Sequence, residues 1–206
     1  MIDAVLLTHS HYDHLDTATL RRLGRIRTIA PLGLDAVLAR AAPALQVETG
    51  DWGARFPIGP DVVLTLHPAY HWSARRLLDR RMALWCGFVL QTPRGTVYVA
   101  GDTAYGDGVI FRAVRDQFGP PLAAVLPIGA YEPRWFMRTQ HVNPDEAARI
   151  LLDCGARQGL GVHWGTFRLT DEGRLEPPAA LLQACRDHGI DPARFTAMRP
   201  GDVWIA

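Results

Sequence analysis

Short apolar runs alternate with amphipathic stretches along the chain. Ala4–Thr8, Val62–Leu66, Ala83–Gln91, Thr96–Ala100 and Ala123–Ile128 are bounded by Gly, Pro or polar residues and predict strands. Gly161–His163 ends another such run, and Asp202–Ile205 predicts a short last strand. Helical spacing predicts Thr17–Leu23 and, after Pro31, Gly33–Arg40. Asn143-Pro144-Asp145-Glu146 opens an apolar run to Cys154, with Asn143 as N-cap and Pro144 at the first helical position. Pro178–His188 predicts a further helix, ended by Gly189. Gly53–Pro60 carries Gly and Pro without period and predicts a loop. Strands and helices interleave, so the class is α/β or α+β with buried sheets. No internal repeat is visible, and a length of 206 residues predicts one domain.

Composition narrows the chemistry. All 22 basic residues are Arg, so Schiff-base lysine chemistry and a Walker-type phosphate loop are excluded. The only serines are Ser10 and Ser73, which leaves few candidates for a serine nucleophile. A net charge of +1 removes the usual electrostatic footprint of nucleic-acid binding, so no nucleic-acid partner is expected. Cys86, Cys154 and Cys185 are widely spaced, without a C-x-x-C pair, which points away from disulfides and Cys-type zinc sites. No signal peptide is visible at the start. The longest uncharged stretch, Gln117 to Tyr131, has 15 residues with three Pro, too short and broken for a transmembrane helix. A reducing, cytoplasmic setting is expected, with a peripheral position at a membrane surface as its variant.

The distribution of histidine changes the picture most. In Thr8-His9-Ser10-His11-Tyr12-Asp13-His14, four metal-competent side chains fall within six residues, directly after an apolar run. Alternate residues of an extended backbone point the same way, so His9 and His11 can meet one metal. Asp13 and His14 follow a turn and can address a second. Imidazole and carboxylate are the donors zinc takes at catalytic sites. Further candidates each follow another apolar run: His71, Asp102 in Val99-Ala100-Gly101-Asp102-Thr103, and His163 in Leu160-Gly161-Val162-His163-Trp164-Gly165. Loops at strand ends are where a rigid scaffold presents catalytic groups. Arg75-Arg76-Leu77-Leu78-Asp79-Arg80-Arg81 holds four Arg in seven residues. Such a run reads first as a solvated face and second as a contact for a phosphate-bearing substrate.

The H-x-H-x-D-H motif with the later His, Asp and His resembles the metallo-β-lactamase superfamily of dinuclear metallohydrolases. Five further blocks resemble its N-acylphosphatidylethanolamine-hydrolysing phospholipase D branch: His71-Trp72-Ser73 with Arg75, Ala100–Thr103, Pro127–Met137, Gln140–Glu146 and His163–Phe167. The resemblance runs in order from about Asp3 to Pro178. It implies an αββα sandwich and two zinc ions. His9, His11 and His71 would hold one, Asp13, His14 and His163 the other, and Asp102 would bridge both. Asp13, Asp102 and His141 are then the catalytic candidates, His141 by orienting substrate or aiding proton transfer. His67 and His188 match nothing in the motif. In this family the motif follows several N-terminal strands, whereas its strand here starts at residue 2 or 3. The first sheet is therefore expected to be incomplete and the chain to be N-terminally truncated relative to the family.

Two zinc ions roughly 3.5–4 Å apart suit in-line displacement at a phosphodiester, with hydroxide available near neutral pH. The resemblance implies a phospholipid such as N-acylphosphatidylethanolamine, cleaved to phosphatidic acid and an N-acylethanolamine. Trp72, Tyr131, Trp135 and Phe136 are candidate substrate-binding residues, with ordinary packing as the competing reading for Trp135 and Phe136. The alternatives are another hydrolase of the superfamily, such as a lactonase or a different phosphodiesterase, and a truncated, inactive metal-binding remnant.

Overall fold

A computed structural model describes residues 2–205. The chain divides into two compact units. The first comprises residues up to Pro68 together with Trp72–Phe88, and the second Ala69–His71 with residues from Val89 on.

The first unit contains β1 (Val5–Leu6), α1 (Thr17–Leu23), β2 (Arg27–Pro31), α2 (Leu34–Ala41), β3 (Gln46–Gly50), β4 (Arg55–Gly59) and β5 (Val62–His67). β1, β2 and β3 form a parallel sheet in that order, with Val5 opposite Thr28 and Arg27 opposite Gln46. Parallel neighbours need crossover connections, and α1 and α2 supply them. Leu7, Leu15, Leu20, Ala30, Leu34 and Leu38 make the core beneath. Asp16 caps α1 by accepting from the backbone N–H groups of Ala18 and Thr19. β4 and β5 pair antiparallel, with an irregular register between Pro57 and Gly59.

The second unit takes most of β6 (Gly87–Thr92), then β7 (Gly95–Val99), α3 (Val109–Phe118), β8 (Ala123–Pro127), α4 (Arg134–Met137), α5 (Pro144–Cys154), β9 (Gln158–Val162), α6 (Glu176–Asp187) and β10 (Phe195–Ala197). Its strand order is β10-β9-β8-β7-β6, and β7 through β10 pair in parallel. Tyr98, Phe111, Val114, Leu126, Ile128, Ile150 and Leu151 are fully buried in one cluster. The parallel pairing places the carboxyl ends of β7, β8 and β9 along one edge, where α/β sheets bind ligands. The loops leaving that edge carry Asp102, Gly129–Tyr131 and His163. Asn143 caps α5 through a complete capping box with Glu146, so the expected helix start holds.

Several elements differ from the pattern reading. Gly53–Pro60 contains strand β4, not a loop; Arg-Phe-Pro-Ile-Gly alternates exposed and half-buried positions beside β5, and a bulge accommodates its Pro. The predicted strand at Asp202–Ile205 is absent, and Phe195–Ala197 pairs with β9 instead, because buried Phe195 packs into the core. β2, β3 and α3 were not anticipated. All three Cys are free and buried. Burial pushes the Cys86 thiol well up and that of Cys154 up to about 11, so both are poor nucleophiles.

Candidate metal centre

In the first unit, β1 runs straight into the histidine motif. Leu7 N–H donates to Ile29 and Cys86 N–H to Thr8, which holds the chain extended through Thr8. The backbone then turns: His14 and Leu15 N–H both donate to the His11 carbonyl. Fully buried Leu15 anchors the turn in the core. His9 Nε2 and His11 Nδ1 come to 2.9 Å. Past the turn, His14 Nε2 and Asp13 Oδ2 are 3.2 Å apart. Thr8 Oγ1 lies 3.0 Å from His9 Nδ1 and 3.4 Å from His14 Nδ1. If each Nδ1 carries the proton and the hydroxyl accepts, both Nε2 lone pairs are left for a metal, the tautomer a ligating histidine needs.

The only two serines pair with each other. Ser10 and Ser73 Oγ are 2.7 Å apart, both buried, and Ser10 N–H also donates to Ser73. Their role is to fasten the motif to the segment that begins at Trp72. Trp72 meets His11 edge to face at 4.5 Å.

In the second unit, Asp102 is the hub. Its Oδ2 lies 3.8 Å from His71 Nε2 and its Oδ1 3.3 Å from His163 Nε2, and the carboxylate is buried. Each oxygen therefore faces a different histidine. The His141 ring stands against both, 5.0 Å from His71 and 5.7 Å from His163. Backbone bonds align these residues. Tyr70 N–H donates to Thr103 Oγ1, Ala104 N–H to the Tyr70 carbonyl and Val142 N–H to the Thr103 carbonyl. The Gln140 carbonyl, 3.0 Å from His71 Nδ1, selects the tautomer with Nε2 turned to Asp102. His163 adopts φ 62°, a left-handed conformation costly for a side-chain-bearing residue. Gly129 lies against its carbonyl where no Cβ would fit.

These spacings fit a metal. Two donor atoms about 2.0–2.1 Å from zinc at a tetrahedral angle stand about 3.3 Å apart. His14–Asp13 at 3.2 Å and His163–Asp102 at 3.3 Å match that separation. At 3.8 Å, His71 and Asp102 are beyond direct hydrogen bonding, yet both are buried and turned together. Nitrogen and oxygen donors with these outer partners are a divalent transition-metal set.

Tyr131 is buried and its hydroxyl donates to Glu176. Burial and that carboxylate push its phenol well above the ordinary range. Trp135 and Phe136, on α4, are 80% and 55% exposed, which removes core packing as their role. A cavity of about 540 Å³ beside His163 is lined by Ala130, Trp164, Phe167, Arg168 and the Leu169–Arg174 loop. Glu172 holds that loop, accepting from Ala130 N–H, Glu132 N–H and the Thr170 hydroxyl. Burial opposes its ionisation, but these bonds outweigh it and keep the carboxyl below its ordinary range. His67 is buried at the end of β5, and His188 pairs with Asp145 at 2.7 Å.

Residues 1–164 match the Beta-lactamase superfamily domain. The chain is 34% identical to N-acyl-phosphatidylethanolamine-hydrolyzing phospholipase D 1 of Caenorhabditis elegans, over its whole length and 61% of that protein. It is 36% identical to the mitochondrial N-acyl-phosphatidylethanolamine-hydrolyzing phospholipase D of Saccharomyces cerevisiae, over 87% of the chain and 40% of that protein. The chain thus spans 61% and 40% of the lengths of these relatives, less than two thirds of each. Among solved structures, isothiocyanate hydrolase from Delia radicum gut bacteria aligns with TM-score 0.74 at 21% identity, covering 98% of this chain and 75% of that one. The metallo hydrolase Igni18 from Ignicoccus hospitalis aligns with TM-score 0.71 at 20% identity, covering 97% and 77%. These two likenesses establish fold alone. The alternating strands and helices, the His/Asp donor groups and the family match agree: the chain belongs to the metallo-β-lactamase superfamily, and within it is similar to N-acyl-phosphatidylethanolamine-hydrolyzing phospholipases D.

Proposed function

We propose that the chain is a dinuclear zinc hydrolase that cleaves the phosphodiester of N-acylphosphatidylethanolamine-type phospholipids. His9, His11 and His71 serve one ion, Asp13, His14 and His163 the other, and Asp102 both. The observation that carries this reading is the buried Asp102 carboxylate with one oxygen toward each of two histidines, as a ligand shared by two ions requires. When bound, paired divalent ions supply a nucleophile near neutral pH and stabilise charge on the attacking and leaving oxygens. The residues do the rest. Thr8 and the Gln140 carbonyl keep ring Nε2 atoms deprotonated for ligation. His141, with its ring against both His71 and His163, orients the phosphodiester and carries a proton to the leaving oxygen. Trp72, Trp135 and Phe136 offer apolar surface to acyl chains, and Tyr131 is held in place by its bond to Glu176. The mutually paired serines and the buried thiols do not compete as nucleophiles.

The test is metal analysis followed by turnover. The purified chain is expected to hold close to two zinc ions, and to hydrolyse both N-acylphosphatidylethanolamine and bis-p-nitrophenyl phosphate. Asp102→Ala should abolish both activities and lower the metal content, whereas His188→Ala should do neither. A metal content near zero overturns the ligand assignment. Hydrolysis of the soluble diester without the lipid would redirect the substrate to another phosphodiester.

A further inference from the structure

One sequence motif has no part in the metal centre: the arginine run after His71. In the structure it forms a hairpin-like tip within the first unit. Leu77 and Leu78 are 99% and 96% exposed, and Met82 is 75% exposed. Arg76, Arg80 and Arg81 are exposed among them. Scattered exposed leucines are ordinary, but three large apolar side chains and three guanidiniums on one short tip are not.

The tip is held in shape. Asp79, its only acid, turns its carboxylate inward and accepts from Arg75 and Arg76 N–H at 2.8 Å each. Met82 N–H donates to the Asp79 carbonyl, and Arg81, at φ 61°, donates its N–H to Ser73. The base is fastened to the histidine motif. Arg75 Nη1 donates to the carbonyls of Ser10 and Leu15, its guanidinium lies 4.2 Å over the Tyr12 ring, and Tyr12 OH donates to the Arg75 carbonyl. The backbone bonds thus present the leucines to solvent in a fixed shape.

We propose that residues 76–82 are a docking tip for an anionic phospholipid surface, with Leu77, Leu78 and Met82 entering the headgroup–acyl boundary and Arg76, Arg80 and Arg81 meeting lipid phosphates. Amphipathic elements with apolar and Arg-rich faces bind such surfaces, and each guanidinium near an anionic leaflet is worth roughly fivefold in affinity. The competing partners fit less well. Six exposed residues fall far short of the roughly 1,200 Å² a stable protein interface buries. A second copy would oppose its own cations. Nucleic acid offers fully exposed leucines no apolar contact. The inference goes beyond the phosphodiesterase reading and does not need it, because it concerns binding rather than turnover.

The test uses the full metal-loaded chain and sedimentation with vesicles of phosphatidylcholine, with or without phosphatidylglycerol. Binding should require the anionic lipid and weaken as salt is raised. Leu77→Ser/Leu78→Ser and Arg76→Gln/Arg81→Gln should each weaken it by roughly tenfold or more, with hydrolysis of soluble bis-p-nitrophenyl phosphate unchanged. Absent binding, equal binding to neutral vesicles, or binding unaltered in both variants overturns the proposal. So does a tip variant that lowers the mass of the chain in light scattering, which would identify a second copy as the occupant. A wild-type chain that binds vesicles yet leaves the soluble diester intact counts against the hydrolase reading alone.

Discussion

At the residue scale, the metal-competent side chains are easy to read and their supports are not. His and Asp donors declare themselves because few residue types carry such groups, and four of them crowd into His9–His14. Thr8 and Gln140 gave no such signal. Thr8 acts through a hydroxyl found at many strand ends, and Gln140 through a backbone carbonyl that every residue possesses. Gly129 is likewise explained only by its approach to His163 in space. Thr8→Val keeps the shape and removes the hydroxyl that lies within 3.0 and 3.4 Å of the His9 and His14 Nδ1 atoms. Outer-shell substitutions of this kind typically cost ~10–100-fold in metal affinity. We expect a loss of that size in zinc competition titration, with the fold retained by circular dichroism; unchanged affinity would assign the tautomers to other partners.

At the scale of elements, local chemistry decided what could be foreseen. α5 announced itself by its Asn143 cap and Pro144, α6 by the Gly189 that ends it, and α1 by helical spacing. β4 was hidden because its Pro and Gly are turn residues that only a bulged pairing with β5 makes compatible with a strand. β10 is three residues long and exists because Phe195 finds the core, a tertiary fact. The Leu169–Arg174 loop has no periodic signal, yet Glu172 orders it. Because the folded state holds that carboxyl below its ordinary range, its contribution is complete above the unfolded value and is lost as pH falls through the folded one. Amide protection at Ala130 and Glu132 should therefore decline as pH falls below the ordinary carboxylate range. In Glu172→Gln this acid-dependent decline should disappear; its persistence would place the titrating group elsewhere.

For the whole molecule, metal binding and folding are linked under the proposed function. An ion held only by the folded chain at a thousand times its Kd stabilises by about 4 kcal/mol. For a chain of this size that corresponds to a Tm shift on the order of 10 °C. Chelation by EDTA should lower Tm by about that much, and added zinc should restore it. A Tm indifferent to chelator would mean that the donor groups do not hold metal in the folded protein.

The mutual pairing of Ser10 and Ser73 has a consequence for how such a protein is found. Covalent profiling of hydrolases relies on fluorophosphonates that trap an activated serine, or on electrophiles that trap a thiolate. Here both hydroxyls are buried against each other, the three thiols are buried, and no lysine amine exists for acylating tags. An active enzyme of this construction would pass through such profiling unlabelled, so reagents that capture metal-coordinating groups are the ones suited to detect it.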